Sequence, residues 1–243
     1  MSIAIARANE IQYRVENGYG ETEVLPGVYP LVRGFKCVLK AGHDVKPEVY
    51  ADKTAIYCFT RGTGYITDGL KAYNIDELSF YIPDFSREFC IHAVSDMEIM
   101  KIVVDLLESD KAAYEDTHMV LPAFKRFSET EPYDQSCKGP NTRSWSVIHS
   151  GNLARVLMGI VCAEGEGTIE KGHPSVAQYN YALEGADFEL TVDGETINTK
   201  EGDWSYVPAG LDHSLVSEKG KKGVLYLVRT HGCRGKALLK AAA

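Results

Sequence analysis

Short apolar runs rich in β-branched and aromatic residues recur along the chain, set apart by Gly, Pro, Asp and Asn. In the first half they are Phe35–Leu39, Ala55–Phe59, Leu78–Ile82 and Ile99–Val104. In the second half they are Ala154–Met158, Tyr179–Leu183, Asp187–Val192 and Val224–Val228. Such runs, with turn signals every ~8–12 residues, predict strands of an all-β sandwich or barrel. The longest apolar stretch, Val156–Ala163, suits a buried strand and falls well short of the ~20 residues that span a bilayer. Asp193-Gly194 predicts a tight hairpin, because that pair accepts the positive φ of a type I′ loop. One segment breaks the pattern. Ser109–Asp116 predicts a short helix, with Ser109 as its N-cap and Asp110 in its first turn. The segment after it, through Pro122, Pro132, Gly139 and Pro140, is polar and rich in turn formers. These features divide the chain into an N-terminal domain over 1–108, a helix and linker over 109–142, and a C-terminal domain over 143–243. The tail Lys236–Ala243 reads as a frayed helix or an unstructured end.

The two halves echo each other. Ser79–Phe85 resembles Trp204–Gly210, with Pro83 and Pro208 lying 125 residues apart. Tyr57–Gly62 resembles Tyr181–Gly185, and Ala41–His43 resembles Lys171–His173. A spacing this long predicts duplication of a whole domain instead of a solenoid repeat.

Composition narrows the function. Apolar residues make up 44% of the 243 and charged residues 25%, as in ordinary globular proteins. A net charge of -8, from 26 Lys+Arg against 34 Asp+Glu, argues against sequence-independent nucleic-acid binding, which needs basic surface. The first residues lack the basic, apolar and small-residue order of a secretory leader. The expectation is a cytoplasmic protein with no membrane partner. The six cysteines form no C-x-x-C pair. Cys37, Cys58, Cys90 and Cys162 lie in strand-like runs, where reduced buried thiols are expected in preference to disulfides. Glu164–Gly167 is a turn and lacks the Lys-Ser/Thr of a phosphate loop. No G-x-S-x-G, H-E-x-x-H or dinucleotide fingerprint is present.

The chemistry concentrates in the second half. Gly202, Pro208, Gly210 and His213 stand at the spacing G-x5-P-x-G-x2-H, followed by Ser217 at the position of a usual Asn. This resembles the second motif of the cupin superfamily. The first cupin motif, G-x5-H-x-H-x(3,4)-E-x6-G, is matched in part. Gly167 stands six residues before His173, and Gln178 stands seven before Gly185, where the metal-binding Glu normally sits. The second His is missing. Counted forward from Gly167 its place falls on Ser175; counted back from Gln178, His173 is the second His and Lys171 holds the first position. The resemblance covers most of 143–229 and, more weakly, 33–105. It implies two tandem cupin (jelly-roll-like) β-barrels with a short connecting helix, and a homodimer.

A small barrel turns alternate side chains inward, so His173, Gln178 and His213 can aim at one interior point. Imidazole and amide donors suit a divalent transition metal such as Mn, Zn, Fe, Ni or Co, and three protein ligands leave positions open. Neutral His and Gln leave the cation's charge uncompensated, which favours an anionic small-molecule substrate. The Glu-to-Gln change and the missing His also fit a decayed site whose residues only hydrogen-bond inside the barrel. In the first half Glu88 stands where the motif His belongs and Ala55 where the Glu belongs. His43, Glu48 and His92 fit no register, so that barrel is expected to be structural. Tyr181, Arg155 and Tyr206 are candidate catalytic or substrate-binding residues, with Trp204 beside Tyr206 and Lys171 within reach of a bound anion. His118, His149 and His231 have no partner pattern. The leading expectation is a metal-dependent enzyme acting on a small carboxylate or sugar-acid-like metabolite by non-redox isomerase, hydrolase or lyase chemistry. The alternatives are a dioxygenase using Fe or Cu and a non-catalytic binding or sensing module.

Overall fold

The computed structural model describes residues 3–29, 31–116, 119–134, 136–165, 167–170 and 176–231. Ten strands precede the helix: β1 (Ala4–Ala6), β2 (Tyr19–Val24), β3 (Val32–Leu39), β4 (Asp44–Val45), β5 (Lys53–Arg61), β6 (Gly64–Thr67), β7 (Ala72–Ile75), β8 (Ser79–Ile82), β9 (Cys90–Ala93) and β10 (Met97–Asp105). The helix α1 spans Glu108–Glu115. Then come β11 (Ala123–Arg126), β12 (Glu131–Tyr133), β13 (Thr142–Leu153), β14 (Val156–Glu164), β15 (Gly167–Glu170) and β16 (Val176–Ala182). The last strands are β17 (Asp187–Val192), β18 (Glu195–Lys200), β19 (Trp204–Val207), β20 (His213–Val216) and β21 (Lys222–His231). The all-β expectation holds, and none of the described helices is long and apolar enough to cross a membrane. The tail Lys236–Ala243 lies outside the described residues.

The chain divides into two compact units. The first comprises Asn9–Leu107 and Met119–Thr130; the second comprises Met1–Ala8, Glu108–His118 and Glu131–Ala243. Each unit has a large and a small antiparallel sheet. In the first unit the orders are β11-β8-β5-β10-β3-β2 and β4-β9-β6-β7. In the second they are β1-β19-β16-β21-β14-β13-β12 and β15-β20-β17-β18. From β8 to β2 the order repeats strand for strand as β19 to β13, and the small sheets match in the same way. This is the topology that the sequence echo predicts.

The edge strands differ between the units. In the first unit β11 pairs with β8, but in the second β1 takes the matching place against β19, with Ala4 opposite Tyr206 and Ala6 opposite Trp204. The sequence pattern grouped residues 1–108; the structure gives the first eight to the second unit. Their attachment is specific. Ile3 is buried in the second unit's core beside Val207. Arg7 pairs with the Asp203 carboxylate at 2.7 Å, which also accepts the backbone N–H groups of Ala8 and Lys200.

Strand patterns follow burial. Ala55, Tyr57 and Phe59 of β5 lie in the first unit's core, while Thr54, Ile56 and Cys58 on the opposite face are also buried. A strand buried on both faces carries a continuous apolar run, not an alternating one. The Asp193-Gly194 hairpin is present: both residues have positive φ (49° and 80°), and Val192 pairs with Glu195. Cys37 and Cys58 are buried, Cys90, Cys137 and Cys162 are half-buried, and all five are free thiols. Burial pushes the Cys37 thiol up to about 12, which leaves it unreactive at neutral pH.

The helix begins one residue earlier than the sequence suggests, so Ser109 lies within its first turn instead of capping it. Asp110 is buried and ion-paired with Arg155, inside the second unit. The acid in the first turn therefore anchors α1 to the strand connection at Arg155, in addition to complementing the helix dipole.

Two outcomes test these contacts. Removing one partner of a buried ion pair leaves an uncompensated charge, so Arg155→Ala should destabilise the second unit by about 3–5 kcal/mol in urea unfolding. The double variant Arg155→Met, Asp110→Leu should recover most of that loss. Asp203→Ala removes the acceptor of one charged and two backbone donors and should cost about 2–4 kcal/mol, with no effect on the first unit's transition.

Candidate metal-binding site

The second unit's interior is built from two facing layers. Ala182, Val207, Leu190, Val192 and Leu215 belong to one apolar core. In the large sheet Gln178 stands opposite Val207 and Asn180 opposite Ser205. Strand alternation therefore puts Gln178, Asn180, Ser205 and Val207 on the core side. In the small sheet His213 stands opposite Val192, and Leu215 opposite Leu190. His213 is thus on the core side of its own sheet. Gln178 and His213 are both buried, at 5% and 8% exposure. The structure brings them to the same interior from opposite sheets.

The glycines of the motifs explain how the backbone allows this. A side chain at Gly167 would collide with the Leu215 carbonyl oxygen, so only glycine lets β15 lie against β20. Gly210 has φ of +86°, a left-handed turn that brings the chain into β20 at His213. Ser217, which replaces the usual Asn, is buried; its hydroxyl accepts the Gly165 N–H at 3.0 Å and donates to the Ala163 carbonyl at 3.2 Å.

Hydrogen bonds orient both candidate ligands. The His213 ring uses Nδ1 toward the Leu211 carbonyl at 3.2 Å, so Nδ1 carries the proton and the buried Nε2 presents the lone pair. Gln178 donates through Nε2 to Asn180 Oδ1 at 2.6 Å, and Asn180 donates through Nδ2 to Ser205 Oγ at 3.2 Å. This polarity turns Oε1 of the Gln178 carboxamide away from Asn180. A fixed imidazole tautomer and an amide oxygen turned away from Asn180 are donors of the kind a divalent cation takes. The pair therefore fits a metal. His173 and Lys171 lie outside the described residues.

The other candidates are placed elsewhere. Tyr181, Tyr206 and Trp204 are buried on the opposite face of the large sheet from Gln178. There Tyr181 meets Trp204 edge-on at 5.2 Å, and Tyr206 meets Tyr179 at 5.1 Å. Arg155 is committed to Asp110. His149 is exposed near Glu131 and Ser146; His118 lies outside the described residues. Two positions escaped the sequence reading: the register sets Glu170 opposite His213 and Arg229 opposite Gln178. Their signal was the strand pairing itself, which no linear motif carries.

The first unit has no counterpart among its described residues. Glu88 is exposed, and its neighbour Phe89 is buried in the core against Tyr57 and Tyr81, with ring centroids at 5.5 and 5.1 Å. Ala55 is part of the same core. His43 and Glu48 are exposed. Aromatic rings fill the space that a bound ion and its ligands would need.

Comparisons with known proteins agree with this architecture. Residues 160–229 match the Cupin_2 model, described as a cupin domain. No curated protein sequence matches the chain. Among solved structures, an oxalate decarboxylase of Bacillus subtilis superposes with a TM-score of 0.70 at 14% identity, covering 96% of this chain and 78% of its own. A putative glyoxylate-induced protein of Pseudomonas aeruginosa gives 0.76 at 11%, covering 96% and 90%. The formate complex of a Lactobacillus farciminis oxalate decarboxylase gives 0.71 at 14%, covering 96% and 87%. At these identities the likeness concerns the fold. The domain match and the motif residues around His213 identify a cupin domain in the second unit, and the repeated pair of sheets gives the chain a two-barrel fold similar to that of these structures.

Proposed function

We propose that the chain is a metal-dependent enzyme whose second barrel acts on a small anionic metabolite, a carboxylate or sugar-acid-like compound, by non-redox lyase, isomerase or hydrolase chemistry. The observation that carries the reading is the buried, tautomer-fixed His213 sharing one interior with the oriented Gln178. His173, by its motif position, completes the donor set. A divalent ion held there would supply a Lewis acid able to polarise a carbonyl or acidify a bound water.

This chain's own residues do the rest. The Leu211 carbonyl holds the His213 ring proton on Nδ1 and so keeps Nε2 a donor. Asn180 and Ser205 hold the Gln178 amide in one orientation inside an apolar core. Leu190, Val192, Val207 and Leu215 keep water from the surrounding space, which strengthens every charge interaction within it. Neutral His and Gln donors leave net positive charge at a loaded site, so a ligand that brings its own carboxylate is favoured over a neutral one. The similar oxalate decarboxylases, one of them holding formate, make small carboxylates the first ligands to test. Tyr181, Tyr206 and Arg155 have no part in this mechanism, because sheet alternation or the Asp110 pairing directs them elsewhere.

Elemental analysis of freshly purified protein, with His213→Ala as control, tests the proposal. Mn, Zn, Ni or Co in the wild type, with about one equivalent of it missing from the variant, is the expected result. Iron or copper with oxygen consumption would replace it by the dioxygenase reading. No metal in the wild type, together with undiminished ligand binding, would replace it by a non-catalytic binding module. Gln178→Glu adds the missing negative charge. It should tighten metal binding by about tenfold or more and weaken the preference for oxalate over a neutral analogue such as oxamide.

A further inference from the structure

The outer face of the first unit's small sheet gathers three metal-binding side chains away from any barrel interior. Cys90 and His92 stand two residues apart on β9 and so project from the same face. Asp44 of β4 is the cross-strand partner of His92. On the other side of the sheet, Ile66, Ile91 and Ala93 belong to the first unit's core. One ligand atom each from Asp44, Cys90 and His92 lies within 4.8 Å of the others.

The imidazole is held in place from both remaining directions. Tyr65 stacks flat on it, with centroids 4.4 Å apart and planes at 13°. Thr67 Oγ1 is 2.9 Å from Nε2, and Asp44 Oδ1 is 2.8 Å from Nδ1. A hydroxyl on one ring nitrogen and a carboxylate on the other, with a thiol within 4.8 Å of the ligand atoms, is compatible with a metal-ligating His and its outer-shell partner. We propose that Asp44, Cys90 and His92 form a zinc-type site on the outside of the first unit. Its ligands are Asp44 Oδ, Cys90 Sγ and His92 Nδ1, with water in the fourth position.

The chemistry of the donors selects the ion. A thiolate with an imidazole favours zinc over magnesium or calcium, which require oxygen ligands. An ionised Asp and Cys with a neutral His supply two negative charges, which balance a divalent cation. In a tetrahedral site with bonds of about 2.0–2.3 Å the donors stand about 3.3–3.7 Å apart. Asp44 Oδ1 therefore has to move from His92 Nδ1 by about an ångström or less. Its side chain is 62% exposed, so it moves without disturbing the core. On loading, Nδ1 gives up its proton, and Nε2–H donates to Thr67 Oγ1. Desolvation and the Asp44 carboxylate raise the Cys90 thiol pKa in the metal-free protein, and a bound cation reverses that preference. The ion would also tie the two-residue strand β4 to β9.

Cobalt titration of the full-length protein tests the site without reference to any activity. Wild type and His213→Ala should both show a thiolate-to-cobalt charge-transfer band and the visible bands of a tetrahedral ion, and in His213→Ala, which lacks the interior site, these should saturate at one equivalent. Cys90→Ser should abolish the charge-transfer band, and Thr67→Val, which keeps all three ligands, should weaken binding about tenfold. In the wild type, zinc should slow alkylation of Cys90 by iodoacetamide at least tenfold, read by peptide mass spectrometry. A charge-transfer band that survives Cys90→Ser, or alkylation of Cys90 at the same rate with and without zinc, would overturn the assignment. Retention in His213→Ala separates this site from the interior one, so either can fail alone.

Discussion

Everything in the second unit depends on the alternation of side chains across strands that are buried on both faces. With a period of two, β16 delivers Gln178, Asn180 and Ala182 to one side and Tyr179 and Tyr181 to the other. β19 delivers Ser205 and Val207 to the first side and Trp204 and Tyr206 to the second. A slip of one residue in the β16–β19 pairing would exchange the interior that holds Gln178, Asn180 and Ser205 for a wall of aromatic rings. The register is held by the apolar residues on both faces and, at the far edge of β19, by the added strand β1.

Keeping polar groups in such an interior has an energetic cost that the structure meets locally. A buried donor or acceptor without a partner costs about 1–3 kcal/mol. Gln178, Asn180 and Ser205 satisfy one another in a chain, and His213 places one ring nitrogen on the Leu211 carbonyl. These contacts also select one orientation for each candidate ligand. The first unit shows the other solution: the same topology, with Phe89, Tyr57 and Tyr81 packed where ligands would stand. The two units thus share a strand order and differ in the polarity of their interiors.

The parts of this architecture that local chemistry dictates were legible in the sequence. The Asp193-Gly194 hairpin, the turn at Gly210 and the close approach at Gly167 follow from backbone conformations that few residues accept, so their spacing exposed the fold. What depends on long-range pairing was not legible. The Ala4–Ala6 strand is too short to carry a pattern, and its partner Trp204–Val207 lies near the other end of the chain. The echo of Tyr81 with Tyr206 misleads, because Tyr81 faces the first unit's core while Tyr206 faces away from the second's. The same slip in facing explains why Glu88 stands in the motif position while Phe89 enters the core. Arg155 looked available because nothing in a linear reading connects it to Asp110.

The proposed function requires His213 Nε2 to face a cation inside the second barrel. Electron spin-echo modulation of the protein loaded with one equivalent of Mn²⁺ measures this directly, through coupling to imidazole nitrogen. The expected result is nitrogen modulation in the wild type that falls in His213→Ala and persists in His92→Ala. Modulation of equal depth in wild type and His213→Ala would show that the ion is not bound by His213.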